Sequence, residues 1–268
     1  MARKNREKSP NGVYHVMVRG IDKHDIFLDD NDYRMFLKIL KESRPLEKAG
    51  EQPGNSFRLY SYCLMPNHVH LLIQEIDEPI DRVMKRICTR YAIFFNTKYS
   101  RIGHLFQDRF RSEPCNDINY FLTLVRYIHQ NPVKAGICQS AEQHPWNSWN
   151  EIRFSAGRSV TVPFADVCDK EALFSIAFFD ELDNLVHAPI PEKDDCIDID
   201  RCRIRIDDQM VKDVMKEYFQ TANQSDFRYL MNDVQKEILN RCLSIGASIT
   251  QLSRITGLEK RILSRIVQ

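Results

Sequence analysis

The chain has 268 residues, is 43% hydrophobic and 28% charged, and carries a formal net charge of +1. This composition supports a buried core in one or two domains and argues against intrinsic disorder. The sequence lacks a run of roughly 18 to 20 apolar residues and starts with the polar Met1-Ala2-Arg3-Lys4-Asn5-Arg6, so neither a membrane span nor a secretory signal is expected and the protein reads as cytoplasmic.

The near-neutral total hides an uneven distribution. Residues 1–150 hold 22 basic against 17 acidic side chains, residues 151–200 hold 4 against 12, and residues 201–268 hold 12 against 8. The expected organisation is a mildly basic module over 1–150, an acidic connector over 151–205 and a second basic module over 206–268. Basic modules suit a polyanionic partner, though ordinary solvation produces the same balance. The eight cysteines form no C-x-x-C pair, which favours reduced thiols.

In chain order, Val13 to Arg19 alternates as a strand, with His15, Met17 and Arg19 on one face and Tyr14, Val16 and Val18 on the other. Asp29-Asp30-Asn31-Asp32 supplies capping side chains for a helix through Tyr33, Phe36, Leu37 and Leu40. Arg58 to Leu64, a Met-Pro-Asn turn and His68 to Gln74 form a β-hairpin. A second helix buries Ile80, Val83, Met84, Ile87, Tyr91 and Phe94, with Arg82, Lys85, Arg86 and Arg90 beside that stripe. A third runs from Ile118 to about Gln130 and ends at Asn131-Pro132, because a residue before proline leaves the α region.

His68 and His70 are separated by one residue on a strand, so both imidazoles point to the same face and can reach one ion. Two partly buried histidines facing solvent are the plainer alternative. Tyr127 and Asn131 are four apart and share a helix face, with His129 and Gln130 as substitute ligands if Asn131 turns away. Near the C-terminus, Ile249, Leu252 and Ile255, a turn at Gly257, then Ile262, Leu263 and Ile266 have the spacing of a helix-turn-helix, with Arg254, Lys260, Arg261 and Arg265 along it. A plain helical hairpin has the same spacing.

Five blocks occur in order: Tyr14-His15-Val16 through Arg19-Gly20 and Ile26-Phe27; Met65-Pro66-Asn67-His68-Val69-His70-Leu71-Leu72; Leu105 to Ser112; Arg126 to Gly136; and Pro145-Trp146-Asn147-Ser148-Trp149. On these blocks the sequence resembles the REP-associated tyrosine transposases, single-tyrosine relatives of insertion-sequence transposases. The C-terminal end is weakly similar to the DNA-binding ends of replication initiators and Trp-repressor-type domains. The resemblance implies an α+β fold, a ferredoxin-like antiparallel sheet with helices (the HUH nuclease fold), followed by a small all-α domain. It implies Tyr127 as nucleophile, His68, His70 and Asn131 as ligands of Mg2+ or Mn2+, and single-stranded DNA or a DNA hairpin as partner. A bacterial, nucleoid-associated protein, monomer or homodimer, is the matching expectation.

Arg19, Arg86, Arg90, Arg109, Arg111 and Arg126 are candidate phosphate contacts, and Phe106, Phe110 and Trp146 candidate stacking platforms. A DNA-binding regulator that keeps the fold without cutting is the alternative function. A zinc hydrolase using the histidine pair with Cys63 or His104 is a remoter one.

Overall fold

The computed structural model describes residues 6–46, 54–160, 162, 164, 166–189, 208–222, 227–244, 247 and 249–267. The chain divides into two compact units, Met1–Cys196 and Ile197–Gln268. The acidic run Asp194 to Asp200 lies outside the described residues.

The first unit is built on strand β1, Val13–Arg19, whose expected alternation holds: Tyr14, Val16 and Val18 enter one core layer while His15 and Met17 are buried on the other side. Two short strands, β2 (Pro45–Leu46) and β3 (Gly54–Asn55), pair with each other. The hairpin of β4 (Phe57–Met65) and β5 (His68–Glu75) turns through Pro66 and Asn67, and with β6 (Arg111–Pro114) completes an antiparallel sheet of order β4-β5-β1-β6. The architecture is α+β, as expected. The segment Trp146–Ser148 lies along the outer side of β4, with Leu64 N–H donating to Trp146 O at 2.9 Å and Ser148 N–H to Tyr62 O at 3.0 Å.

The turn before His68 is braced from a distant part of the chain. Gly20 N–H donates to Asn67 O, and the Ile26 and Phe27 N–H groups both donate to Pro66 O. A Cβ at Gly20 would stand 2.2 Å from the His24 carbonyl oxygen, so only glycine lets the segment from Gly20 to Ile26 fold back on itself this tightly.

Helices α1 (Asp30–Glu42) and α2 (Ile80–Lys98) cover the sheet face that carries Val16, Val69 and Leu71. Asp29 caps α1 by accepting from Asp32 N–H, as its sequence predicts. In α2 the buried set matches expectation except at the last turn, where Phe95 is sealed and Phe94 is only partly covered. A period of 3.6 passes between positions 94 and 95, so packing decides which is buried.

Helix α3, Ile118–Lys134, covers the opposite face, which carries the histidines. It does not stop before Pro132. The proline removes one N–H, but a Schellman closure holds the last turn: Gly136 at φ +71°, its N–H donating to Val133 O, and Ile137 N–H donating to Pro132 O at 2.9 Å. Asn131 therefore sits inside the helix.

The expected acidic connector is largely a folded part of the first unit. Helices α4 (Trp149–Ser155), α5 (Lys170–Phe174) and α6 (Phe179–His187) bury Trp149, Ile152, Leu173, Leu182 and Val186 in the same core as α3. Their acidic residues mostly face outward, while Glu151 is buried and accepts from the Val167 and Cys168 N–H groups at 2.9 and 3.1 Å. Gln130 donates to the Val186 and Ala188 carbonyls at 2.9 and 2.6 Å, satisfying the end of α6.

The second unit contains α7 (Asp208–Ala222), α8 (Asn232–Ser244), α9 (Ile249–Thr256) and α10 (Lys260–Val267) around Val211, Met215, Ile238, Leu239, Leu252 and Leu263. The two short terminal helices and the Gly257 turn, at φ +71°, fall where the sequence predicts them. Ile262 is an exception, since it is exposed and does not enter the core.

Candidate active site

Sheet register brings three imidazoles together. His68 and His70 share a face of β5, as period two requires, with ring centroids 5.0 Å apart. On neighbouring β1, His15 stacks against His70 at 5.2 Å, and its Nε2 lies 3.0 Å from His70 Nδ1. Tyr127, from α3, presents its ring edge-on to both, 5.6 Å from His15 and 5.5 Å from His70. His15 was not among the expected site residues. Its signals in the sequence were its place on one face of the first strand, with Met17 and Arg19, and in the first of the five blocks.

Hydrogen bonds orient the rings. Asn67 Nδ2 donates to Lys23 O at 3.1 Å, which turns its Oδ1 toward His68 Nδ1 at 2.6 Å. An amide oxygen only accepts, so His68 carries a proton on Nδ1, and Nε2 is the nitrogen its neutral form offers a cation. His70 is fully buried and its Nε2 has no hydrogen-bond partner. Burial first, then the neighbouring His68 and His15, holds its pKa well below the ordinary imidazole value, so His70 is neutral at physiological pH.

Asn131, one turn beyond Tyr127 on α3, is buried and its Nδ2 donates to the Tyr127 carbonyl at 2.8 Å, so its oxygen is the atom it can offer a cation. Its proposed substitutes are committed elsewhere. Gln130 closes the end of α6, and His129 lies between Val125 O and Ser148 Oγ, 2.8 Å from each.

Burial draws the His129 pKa down to about 4. The unfolded chain, with an imidazole pKa of about 6.5, therefore binds a proton more readily than the folded one. The stability this confers is complete above pH 6.5 and is lost as pH falls toward 4. Between pH 7 and 4.5 the loss from this residue is expected to be about 2 to 3 kcal/mol. Urea midpoints of the wild type and His129→Gln over that range check it, and the variant should show the shallower fall.

The candidate phosphate contacts separate by position. Arg19 and Arg111 are on the histidine-bearing side of the sheet, opposite His68 and Met17 in register, and Arg126 adjoins Tyr127 on α3. Lys134, absent from the expected set, places its ammonium 5.7 Å from the centre of the Tyr127 ring. Arg109 is exposed in the loop facing α2.

Arg86 and Arg90 are on α2, across the sheet from the histidines, and serve the fold. Arg86 holds Glu78 at 2.7 Å and the Ser43 carbonyl at 3.1 Å, and Arg90 pairs with Glu42. The stacking platforms are likewise used in packing: Trp146 stacks on Tyr33 at 4.7 Å, Phe110 is buried beneath Arg6, and Phe106 packs on the α2 core. In the second unit Arg254 pairs with Asp208, while Lys260, Arg261 and Arg265 are exposed on α10.

The zinc alternative loses His104, which lies in a groove against α2, on the other side of the sheet from the histidine pair, while Cys63 is a buried thiol whose pKa burial raises. Among the described residues no group of three His, Cys, Asp or Glu side chains is disposed to hold a metal. None of their helices is long and apolar enough to cross a membrane.

The fold and this cluster define an α+β module that sets a histidine pair on a sheet face against a helical tyrosine. Residues 8–131 match the model of the IS200-like transposase family. It is 26% identical over 165 residues to a Haemophilus influenzae protein named as a REP-associated tyrosine transposase, an alignment covering 56% of this chain and 86% of that one. A solved REP-associated tyrosine transposase bound to a REP hairpin aligns with a TM-score of 0.45 and 19% identity, covering 63% of this chain and 94% of that one.

Proposed function

We propose that the protein cuts and rejoins single-stranded DNA beside a hairpin by transesterification through Tyr127. The observation that carries this reading is the tyrosine ring set edge-on against His70 and His15 at 5.5 and 5.6 Å, in a transposase-family module. The Tyr127 oxygen attacks a backbone phosphorus and gives up its proton. The P–O3′ bond breaks, the 3′ oxygen leaves as a hydroxyl, and the strand stays attached through a 5′-phosphotyrosine. Attack by a 3′-hydroxyl on that phosphorus later expels the phenol and restores the strand. Phosphoester bonds are exchanged one for one, so neither ATP nor net hydrolysis is required.

Nε2 of His68, the buried, unpartnered Nε2 of His70 and the Asn131 oxygen would hold a divalent cation, and Mg2+ or Mn2+ suits this mixed N,O set with open positions. When bound, such an ion polarises the phosphate and offsets charge on its non-bridging oxygens. Arg19, Arg111, Arg126 and Lys134 are the cations placed to hold the strand, and Lys260, Arg261 and Arg265 would give the second unit its own phosphate contacts.

The test is incubation of the full chain with labelled single strands drawn from the DNA flanking its own gene, in Mn2+ and in EDTA. A covalent protein–DNA band with Mn2+ and none with EDTA is expected. Binding that survives EDTA, with no adduct from any hairpin in Mn2+, would replace this reading with a DNA-binding regulator that does not cut.

A further inference from the structure

His15 has no task in the chemistry above, yet it is wholly buried between the two strands that form the site. Its two ring nitrogens face different partners. Nε2 lies 3.0 Å from His70 Nδ1, and Nδ1 lies 3.7 Å from Oε2 of Glu113, the residue directly opposite His15 on β6.

The contact between the two imidazoles can be made in two ways, because one ring must donate and the other accept. If His15 Nε2 donates, His70 accepts on Nδ1 and carries its own proton on Nε2, where it blocks a cation. If His70 Nδ1 donates, His70 Nε2 keeps its lone pair. Glu113 distinguishes the two. At 3.7 Å the carboxylate is beyond direct hydrogen-bond length, but its charge attracts an N–H and repels a lone pair on His15 Nδ1. A proton on His15 Nδ1 makes Nε2 the acceptor, and the bond must then come from His70.

We propose that Glu113 and His15 form a positioning relay that holds His70 in its Nδ1–H tautomer and so presents Nε2 to the cation. The relay rests on the reading of His70 as a ligand. His15 does not touch the cation. It does for His70 what Asn67 does for His68, so each ligand is oriented by a different acceptor. The sheet supplies the geometry, since β6, β1 and β5 are successive neighbours and the three side chains share one face.

Two measurements test this. The first is 15N NMR of the histidine-labelled, metal-free protein, which reads each ring's tautomer directly. His70 is expected as Nδ1–H, and an Nε2–H ring would overturn the relay whatever the metal does. In Glu113→Gln, a change at a partly exposed position, the His70 signal should move toward a mixture of tautomers, and an unchanged signal would remove Glu113 from the relay.

The second is Mn2+ affinity by calorimetry. His15→Leu is expected to bind roughly 10- to 100-fold more weakly. His15→Gln should recover most of the loss, because its amide oxygen can accept from His70. Equal affinity in wild type and a folded His15→Leu would sink the proposal, and if His15→Leu fails to fold the tautomer measurements decide alone. His68→Ala serves as control. If it binds Mn2+ as well as wild type, the metal reading fails, while the tautomer result still judges the relay.

Discussion

Replacing Tyr127 with phenylalanine is expected to abolish the covalent protein–DNA adduct and to lower strand cleavage by at least roughly a thousand-fold. The ring is buried, and the substitution keeps its edge-on contacts with His15 and His70, so the shape of the site is preserved. Only the hydroxyl is lost. A single side-chain hydrogen bond is worth about 0.5 to 1.5 kcal/mol, far too little to unfold a domain of ordinary stability. The variant should therefore melt close to the wild type and still bind a labelled hairpin, with no band resistant to SDS. Adduct formation by the phenylalanine variant at more than a few per cent of the wild-type level would place the nucleophile elsewhere.

Trp149→Ala is expected to produce the largest loss of stability, about 3 to 5 kcal/mol, through a cavity that its neighbours can only partly fill. The indole is fully buried, stacks on Phe179 of α6 at 5.9 Å and lies against His129 of α3 at 5.3 Å. It joins the segment after residue 148 to the helix that carries Tyr127. Its Nε1 has no hydrogen-bond partner, so Trp149→Phe gives up ring volume without giving up a hydrogen bond and should cost less than the alanine change. The chain's two tryptophans, at 146 and 149, are both in the first unit, so fluorescence in urea follows that unit alone. In the alanine variant Trp146 remains as the probe. A midpoint within error of the wild type would mean that α6 contributes little to holding α3.

The sequence revealed β1, the hairpin of β4 and β5, and helices α1 to α3 well because each was written in local periodicity. Alternation placed His68 and His70 on one face, and helical spacing placed Tyr127 and Asn131 together. His15 was harder to recognise as a partner: it is 55 residues from His70 and meets it only through strand register, which no local pattern encodes. Pro132 misled for the opposite reason. The rule against helix before proline is local, and the closure at Gly136 and Ile137 outweighs it. The acidic segment was read as a connector because counting charge averages over helix faces. In α6 Leu182 and Val186 are sealed while Asp180 and Glu181 face solvent. Arg86 and Arg90 looked like phosphate contacts because composition does not say on which side of a sheet a helix will pack.

The segment Trp146–Ser148 along β4 bears on self-association. An unpaired outer strand displays a row of N–H and C=O groups that can recruit a second chain. On β4 that row is already occupied: Leu64 N–H, Tyr62 O and Tyr62 N–H are taken by Trp146 and Ser148, and Cys63 bridges Asn147. The opposite outer strand, β6, is only four residues long and ends in Pro114, which has no N–H to offer. A homodimer of this protein would therefore not be made by continuing the sheet through β4 into a neighbour, and the strand that pairs with His70's own strand is shielded from edge-to-edge aggregation.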